Sequence, residues 1–332
     1  MSLYRKVKNY FSRWAPQIKV ILALILIFLL IRQVQFPKLV EVLKKAKLNY
    51  FLLGFSFFII LIASQALRLY SIVFKRISSL KNLVKVTFIA YFFNNFLPSS
   101  IGGDSYKILY IKNEGSNVTD SVSLVTLDRI SGLFALFVIG CLALLLNFRN
   151  LMKLIRAGDL EVVKINYQLI IIVVACGLFL VGVMLLIDRY LFDSSFSGKI
   201  KEVFKDATNT LKRLRPYQYL LLIFFSLIVS FLRFLKFYFY LRCFGGQIGI
   251  FNLISVIIFM NFVALLPITF GGLGLKEGSI MFGLGVFGVD KSAGLMVGLI
   301  DRLAVWFISI IGGGLYMITN LNLKTDTNRI KK

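Results

Sequence analysis

The chain has 332 residues, is 58% hydrophobic with a mean hydropathy of +0.83, and carries 39 Lys and Arg against 15 Asp and Glu, a net charge of +24. Soluble domains have an apolar share of about 45–50%, so the composition predicts a polytopic all-α membrane protein. Histidine is absent, which excludes His-dependent triads, imidazole proton relays and HExxH metal sites.

The basic excess falls mainly in the polar gaps between apolar runs. Positive-inside topology and anionic head groups account for it, and with no recognisable nucleic-acid motif no such partner is expected. Cys141, Cys176 and Cys243 are far apart and have neither metal spacing nor a disulfide framework.

In chain order, basic residues 1–17 precede an apolar run at 20–31. The following Arg32 to Phe36 offers no A-x-A-like cleavage site, so a retained first helix is expected rather than a signal peptide. A second apolar segment at 48–70 carries Arg68 near its end. A basic link at 75–85 and a short apolar run at 86–97 follow, with Asn94 and Asn95 just before Pro98. Residues 104–120, including Lys107, are too polar to face lipid, and 121–148 is long enough to cross. After a polar stretch at 149–166 another span is expected at 167–187. The Lys- and Arg-rich link 188–216 predicts an amphipathic helix. Further apolar runs occupy 217–241, 250–266, 274–289 and 293–319, before a polar tail at 320–332.

An internal repeat organises this series. Leu97 to Gly103 and Leu266 to Gly272 both read LPxxxGG, 169 residues apart. A lysine lies nine residues beyond each proline, Lys107 and Lys276. Asp128-Arg129 and Asp301-Arg302 follow, while Arg68 and Arg233 precede. This ordered set predicts a duplication, repeat one at 48–148 and repeat two at 217–319, inside one transmembrane domain. In the LPxxxGG register Asp104 falls opposite Leu273 and Glu277 is four positions away, so a metal or carboxylate dyad has little support. No cofactor is expected.

The most basic links are the N-terminus, 71–85, 188–216 and the C-terminus. Placing all four in the cytoplasm gives a multi-pass protein of the cytoplasmic membrane with both termini inside. The basic link 32–47 then falls outside, and the sequon at Asn117 inside. Residues 86–110 and 250–289 become re-entrant hairpins tipped by Pro98, Gly102 and Gly103 and by Pro267, Gly271 and Gly272. Non-helical backbone at membrane depth survives only inside protein or beside a wet cavity. The hairpins open to opposite faces, which makes the duplication an inverted repeat.

Arg68, Arg129, Arg233 and Arg302 are the candidate substrate-binding cations. A charge at the bilayer centre costs at least about 2.5–3.5 kcal/mol, so it faces a partner or a wet cavity. A guanidinium also grips phosphate through a planar fork. The competing explanation is snorkelling or pairing with Asp128, Asp301 or Glu277. Neighbouring Asp and Arg on a helix do not face one another, so Asp128 and Asp301 should pair elsewhere. Gly102, Gly103, Gly271 and Gly272 either present N–H groups to an anion or only allow the turn. Lys107 and Lys276 would add charge there. Asn94, Asn95 and Asn261 either bridge the broken backbone or touch the ligand.

In NNFLPSSIGGDSYKILYIKNEG, LDRISGLF and LLPITFGGLGLKEGSIMFGLGVFG, the chain resembles the lysylphosphatidylglycerol synthase transmembrane-domain (flippase-like) family, over roughly residues 15–320. Glu277 stands in that family's acidic place. The resemblance implies a translocator of a phosphate-bearing lipid or lipid-linked precursor. No stretch resembles the family's cytosolic aminoacyl-transfer domain, so synthase activity is not carried over and no catalytic residue is assigned. Two alternatives remain open: a non-catalytic partner of a separately encoded lipid-modifying enzyme, and a transferase whose base is Asp104, Asp128, Glu277 or Asp301. Self-association is compatible with any of them.

Overall fold

The computed structural model describes residues 28–30, 32–33, 36–73, 78–96, 102–156, 209, 212–264 and 269–319. Most of the expected first helix at 20–31, the span at 167–187, most of the 188–216 link, Cys176, the tail, and both tip prolines, Pro98 and Pro267, lie outside them. The described residues are all-helical. A short α1 (Phe36–Lys44) precedes α2 (Leu48–Ile72), α3 (Leu80–Phe96), α4 (Gly102–Asn113) and α5 (Val118–Arg156). The second half runs α6 (Pro216–Cys243), α7 (Ile250–Val263), a 3-10 turn (Phe270–Gly272), α8 (Leu275–Val286) and α9 (Lys291–Ile318).

Each half therefore reads long helix, short helix, break, short helix, long helix. The four long helices are apolar enough to cross a membrane: α2, α6, α9 and the Val118–Ala143 part of α5. The 25 residues of α2 reach about 38 Å, more than a hydrocarbon core of about 30 Å. The 17 residues of α3 reach about 26 Å and the 12 of α4 about 18 Å, so neither crosses alone. Instead α4 folds back along α3, with Gly103 against Ala90 and Tyr106 stacked on Phe93 at 5.0 Å. In the second half α8 returns along α7, Gly283 against Val256 and Phe282 beside Phe259.

Two boundaries differ from the sequence reading. Helix α3 begins at Leu80, inside the expected basic link, and α5 continues through residues expected to be polar linker. Residues 104–113, read as too polar to face lipid, belong to helix α4, whose Tyr106, Lys107, Tyr110 and Ile111 are buried between α3 and α5. Protein rather than lipid surrounds this helix, so its polarity is tolerated. Helices α4 and α8 are both 12 residues long and end alike. Gly115 and Gly288 take left-handed φ of 106° and 81°. The Ser116 N–H then donates to Ile111 C=O and the Val289 N–H to Leu284 C=O, the Schellman pattern. Asp290 next caps α9 by accepting from the Ser292 and Ala293 N–H groups.

The leading helices of the two halves, α2 and α6, lie side by side in opposite directions. The Lys47 N–H at the start of α2 donates to Cys243 C=O at the end of α6 (2.9 Å). At the other extreme the Gln218 side chain donates to Ser71 C=O (3.0 Å). Between these ties Phe57 stacks on Phe239 and Phe51 on Tyr240, with Gly54 beneath the Tyr240 ring. Two leading helices that run antiparallel are what an inverted repeat requires.

Lipid gives apolar helices no hydrophobic reason to associate, so close approach by small residues decides where they pack. On α9, a Cβ at Gly312 would lie 2.2 Å from the Phe88 carbonyl oxygen, and one at Gly313 2.9 Å from the Phe92 ring. A Cβ at Gly314 would meet nothing within 4 Å. Gly312→Val should cost about 1–3 kcal/mol by overpacking the α3–α9 crossing and lower the thermal unfolding midpoint in detergent. Gly314→Ala should leave that midpoint unchanged or raise it. Equal losses in both variants would refute this account of the crossing.

Candidate functional site

Two kinds of ion pair recur in the halves. In the first, a cation on the leading helix meets the aspartate of the Asp-Arg pair. Arg68 Nε donates to Asp128 Oδ1 at 2.7 Å, and Lys107 Nζ lies 3.6 Å from Oδ2. Gly132, one turn beyond Asp128, leaves the space that the Arg68 guanidinium fills. In the second half Lys236 Nζ donates to Asp301 Oδ1 at 2.5 Å. The partner is thus Lys236, one turn beyond Arg233, and not Arg233 itself. Asp128 and Asp301 do pair away from their neighbouring arginines, as helix geometry demands.

In the second kind, the arginine of the Asp-Arg pair meets an acid at the third position of the short helix after the break. Arg129 pairs with Asp104, and Arg302 Nε donates to Glu277 Oε1 at 2.6 Å. Asp104 and Glu277 are 173 residues apart, as are Asp128 and Asp301 and the two helix-ending glycines. The expected register of 169 therefore fails after the break, and Asp104 does have an acidic counterpart. Four extra residues account for the change. Gly102 and Gly103 open α4 directly, whereas Gly271 and Gly272 are followed by Leu273 and Gly274 before α8. Lys107 and Lys276, matched by distance from the prolines, are accordingly not equivalent.

The second break is braced from behind. Arg302 Nη1 donates to Gly271 C=O (3.0 Å) and Nη2 to Gly272 C=O (3.1 Å). Glu277 Oε2 accepts the Gly274 N–H at 2.8 Å. Gly271, Gly272 and Gly274 have φ of 58°, 71° and 79°, a left-handed run that side chains with a Cβ resist. Gly298 on α9 touches the Glu277 backbone, so α9 lies close enough for Arg302 to reach across. Arg302 and Glu277, expected at the substrate, thus hold the second tip; neither lines the central cavity.

The first break is held by amides. Asn94 Oδ1 accepts the Gly103 N–H at 2.8 Å, and Asn95 Nδ2 donates to Ser309 Oγ on α9 at 2.6 Å. Asn261 Nδ2 donates to Ile257 C=O within its own helix. Gly102 and Gly103 are buried in this packing. The two breaks meet at the centre, where Gly271 approaches Asn94 and Asn95.

A cavity of about 340 Å³ lies there, within the size range of small-ligand sites. Arg68, Lys107, Arg129, Arg233 and Lys276 line it, with Asp104 and Asp128 as its acids. Asn95, Asn261, Gly271 and Gly272 complete the expected residues on its wall. Gln65 and Tyr91, joined by a 3.2 Å hydrogen bond, also face it; their types carry no charge or motif that would have marked them. Both acids are already engaged by cations. Arg233 and Lys276 make no hydrogen bond or ion pair among the described residues. Five cations against two acids leave the cavity strongly positive.

These features define a polytopic helical membrane protein in which an inverted repeat encloses a cationic central cavity. The chain belongs to the lysylphosphatidylglycerol synthase TM region family, whose family model matches residues 17–313. It is also similar to a UPF0104 membrane protein, PH1989, of Pyrococcus horikoshii, with 26% identity over 334 residues covering 93% of this chain and 98% of that one. The resemblance read from the LPxxxGG and Asp-Arg segments is therefore borne out.

The Lys236–Asp301 pair gives a direct check on the electrostatics. Lys236 Nζ also sits 4.7 Å from the Phe58 ring centre, in apolar surroundings. Removing one partner of such a pair costs about 3–5 kcal/mol, whereas apolar replacement of both is often neutral. Asp301→Asn should therefore lower the unfolding midpoint sharply, and Lys236→Met with Asp301→Leu should recover most of the loss. A double variant no better than the single one would contradict the pairing.

Proposed function

We propose that the protein is a lipid translocator, moving a phosphate-bearing lipid or lipid-linked precursor between leaflets of the cytoplasmic membrane, with both termini on the cytoplasmic side. The observation that carries this reading is the central cavity in which Arg233 and Lys276 make no hydrogen bond or close ion pair among the described residues. Unbalanced cations at membrane depth are costly and mark ligand paths. A head-group phosphate supplies the missing charge while the acyl chains remain in lipid. The antiparallel halves and paired breaks support alternating access, because each half offers one hairpin to the shared cavity.

Transport is favoured over chemistry by the state of the acids. The bases a transferase would need, Asp104, Asp128, Glu277 and Asp301, are each held by a cation. Membrane lipids would then be the protein's partners, and among the described residues these four carboxylates are committed to cations rather than free to act as a base.

Reconstitution into phosphatidylcholine vesicles carrying fluorescent phosphatidylglycerol or a fluorescent polyprenyl phosphate tests this. Exposure of the label to an outer-leaflet quencher reports movement. The protein should accelerate leaflet exchange. Arg233→Gln and Lys276→Gln should each slow it about 10–100-fold, since a charge-assisted hydrogen bond is worth about 1.5–3 kcal/mol. Arg302→Ala is unsuitable as a transport variant because it unbraces the second tip. Folded protein that moves none of these lipids would sink the translocator reading and turn attention to a partner enzyme.

A further inference from the structure

The charge ledger of the cavity carries a statement about which head group it takes, and this rests on reading the cavity as the head-group site. Asp104 is held by Arg129, and Asp128 by both Arg68 and Lys107. Outside the cavity wall Glu277 is held by Arg302 and Asp301 by Lys236. An entering ammonium would thus meet no uncommitted carboxylate among the described residues and would face five cations. The repulsion would be felt at low dielectric, where water screens it least.

An anion meets the reverse. Arg233 and Lys276 come from different helices of the second half, α6 and α8, and both face the cavity without a partner among the described residues. With five cations against two acids on the wall, and these two cations outside any close ion pair among the described residues, the cavity asks for more than one negative charge. A phosphodiester supplies one. A terminal phosphate, as a phosphomonoester, carries about −1.5 to −2 near neutral pH and offers three acceptor oxygens. Arg233 can meet two of those oxygens through its planar fork, and Lys276 a third as a point charge.

We propose that the cavity selects a head group ending in an amine-free terminal phosphate, with Arg233 and Lys276 as its counter-charges. A zwitterionic or aminoacylated phosphodiester head group is disfavoured at the same place. The same chemistry is offered by a lipid phosphate and by free inorganic phosphate, and the test separates them.

The full chain in detergent, titrated with single lipids and read by native mass spectrometry, measures binding without movement. Phosphatidic acid and undecaprenyl phosphate should bind at least ten-fold tighter than phosphatidylglycerol. Lysyl-phosphatidylglycerol and phosphatidylcholine should be weaker still. Arg233→Gln and Lys276→Gln should each cut phosphatidic acid affinity about ten-fold at an unchanged melting temperature, and Arg233→Lys should keep most of it. Inorganic phosphate should compete only at far higher concentration than the lipid. Lysyl-phosphatidylglycerol binding as tightly as phosphatidic acid, or Gln variants that keep wild-type affinity, would overturn the proposal. Inorganic phosphate competing as well as the lipid would overturn its lipid half. Selective binding without leaflet exchange in vesicles would remove the transport reading and leave this one standing. Exchange of lysyl-phosphatidylglycerol as fast as phosphatidic acid would do the opposite.

Discussion

The structure depends on one constraint: a charge placed at membrane depth must be balanced there. The Lys236–Asp301 and Arg302–Glu277 pairs satisfy it fully, each partner buried and within 2.6 Å of the other. The Arg68–Asp128–Lys107 group satisfies it with one cation to spare. These contacts tie the leading helices to the closing helices and the closing helices to the short helices, so balancing charge and fixing the bundle are the same event. Ion pairs in water contribute little, but severing one in this setting leaves a bare charge with no solvent to receive it.

The same constraint explains why the halves are similar without being copies. Both use an acid at the third position of the returning helix to receive the arginine of the Asp-Arg pair. In repeat two that arginine goes further and binds two carbonyls of a glycine-rich break, with only 6% of its side chain exposed; in repeat one Arg129 is 40% exposed and the break is held by asparagines. The four residues added before α8 create the carbonyls that Arg302 needs. They also displace Lys276 from the position that would correspond to Lys107, and so from the carboxylate that Lys107 approaches. One short insertion thus gives both a braced tip and a cation that makes no close ion pair among the described residues.

Much of this was legible in the sequence. Apolar runs bounded by charge marked the four long helices, because lipid permits few other patterns of that length. The Asp-Arg pairs and the LPxxxGG breaks marked the duplication. Most of the cavity's charged lining was also marked, since a cation inside an apolar run needs a reason. What was not legible depended on packing. Residues 104–113 read as too polar to face lipid, but that α3 and α5 are the helices covering them leaves no trace in local composition. Asp104 lost its counterpart because a register anchored on prolines cannot see an insertion that follows them. Arg302 looked identical in kind to Arg129, and only the distance to the Gly271 and Gly272 carbonyls shows that it is a brace. Gln65 and Tyr91 are ordinary polar residues whose place on the cavity wall is fixed by the crossing of α2 and α3.

The remaining question is whether Arg233 needs a ligand or only reaches for water at the membrane edge, since long cationic side chains commonly snorkel. Its position on α6 answers this. The helix ends ten residues on, at Cys243, about 15 Å along the axis, which exceeds the reach of an extended arginine. Arg68 provides the contrast, being only four residues, about 6 Å, from the end of α2. That arginine has a short route outward, yet it turns inward to Asp128, because the buried carboxylate demands it. Arg233 has no such route and no acid in hydrogen-bond contact among the described residues, but it faces the cavity in which the two breaks meet. An anion arriving there would balance it, which is why the proposed head-group site is placed at this point in the bundle.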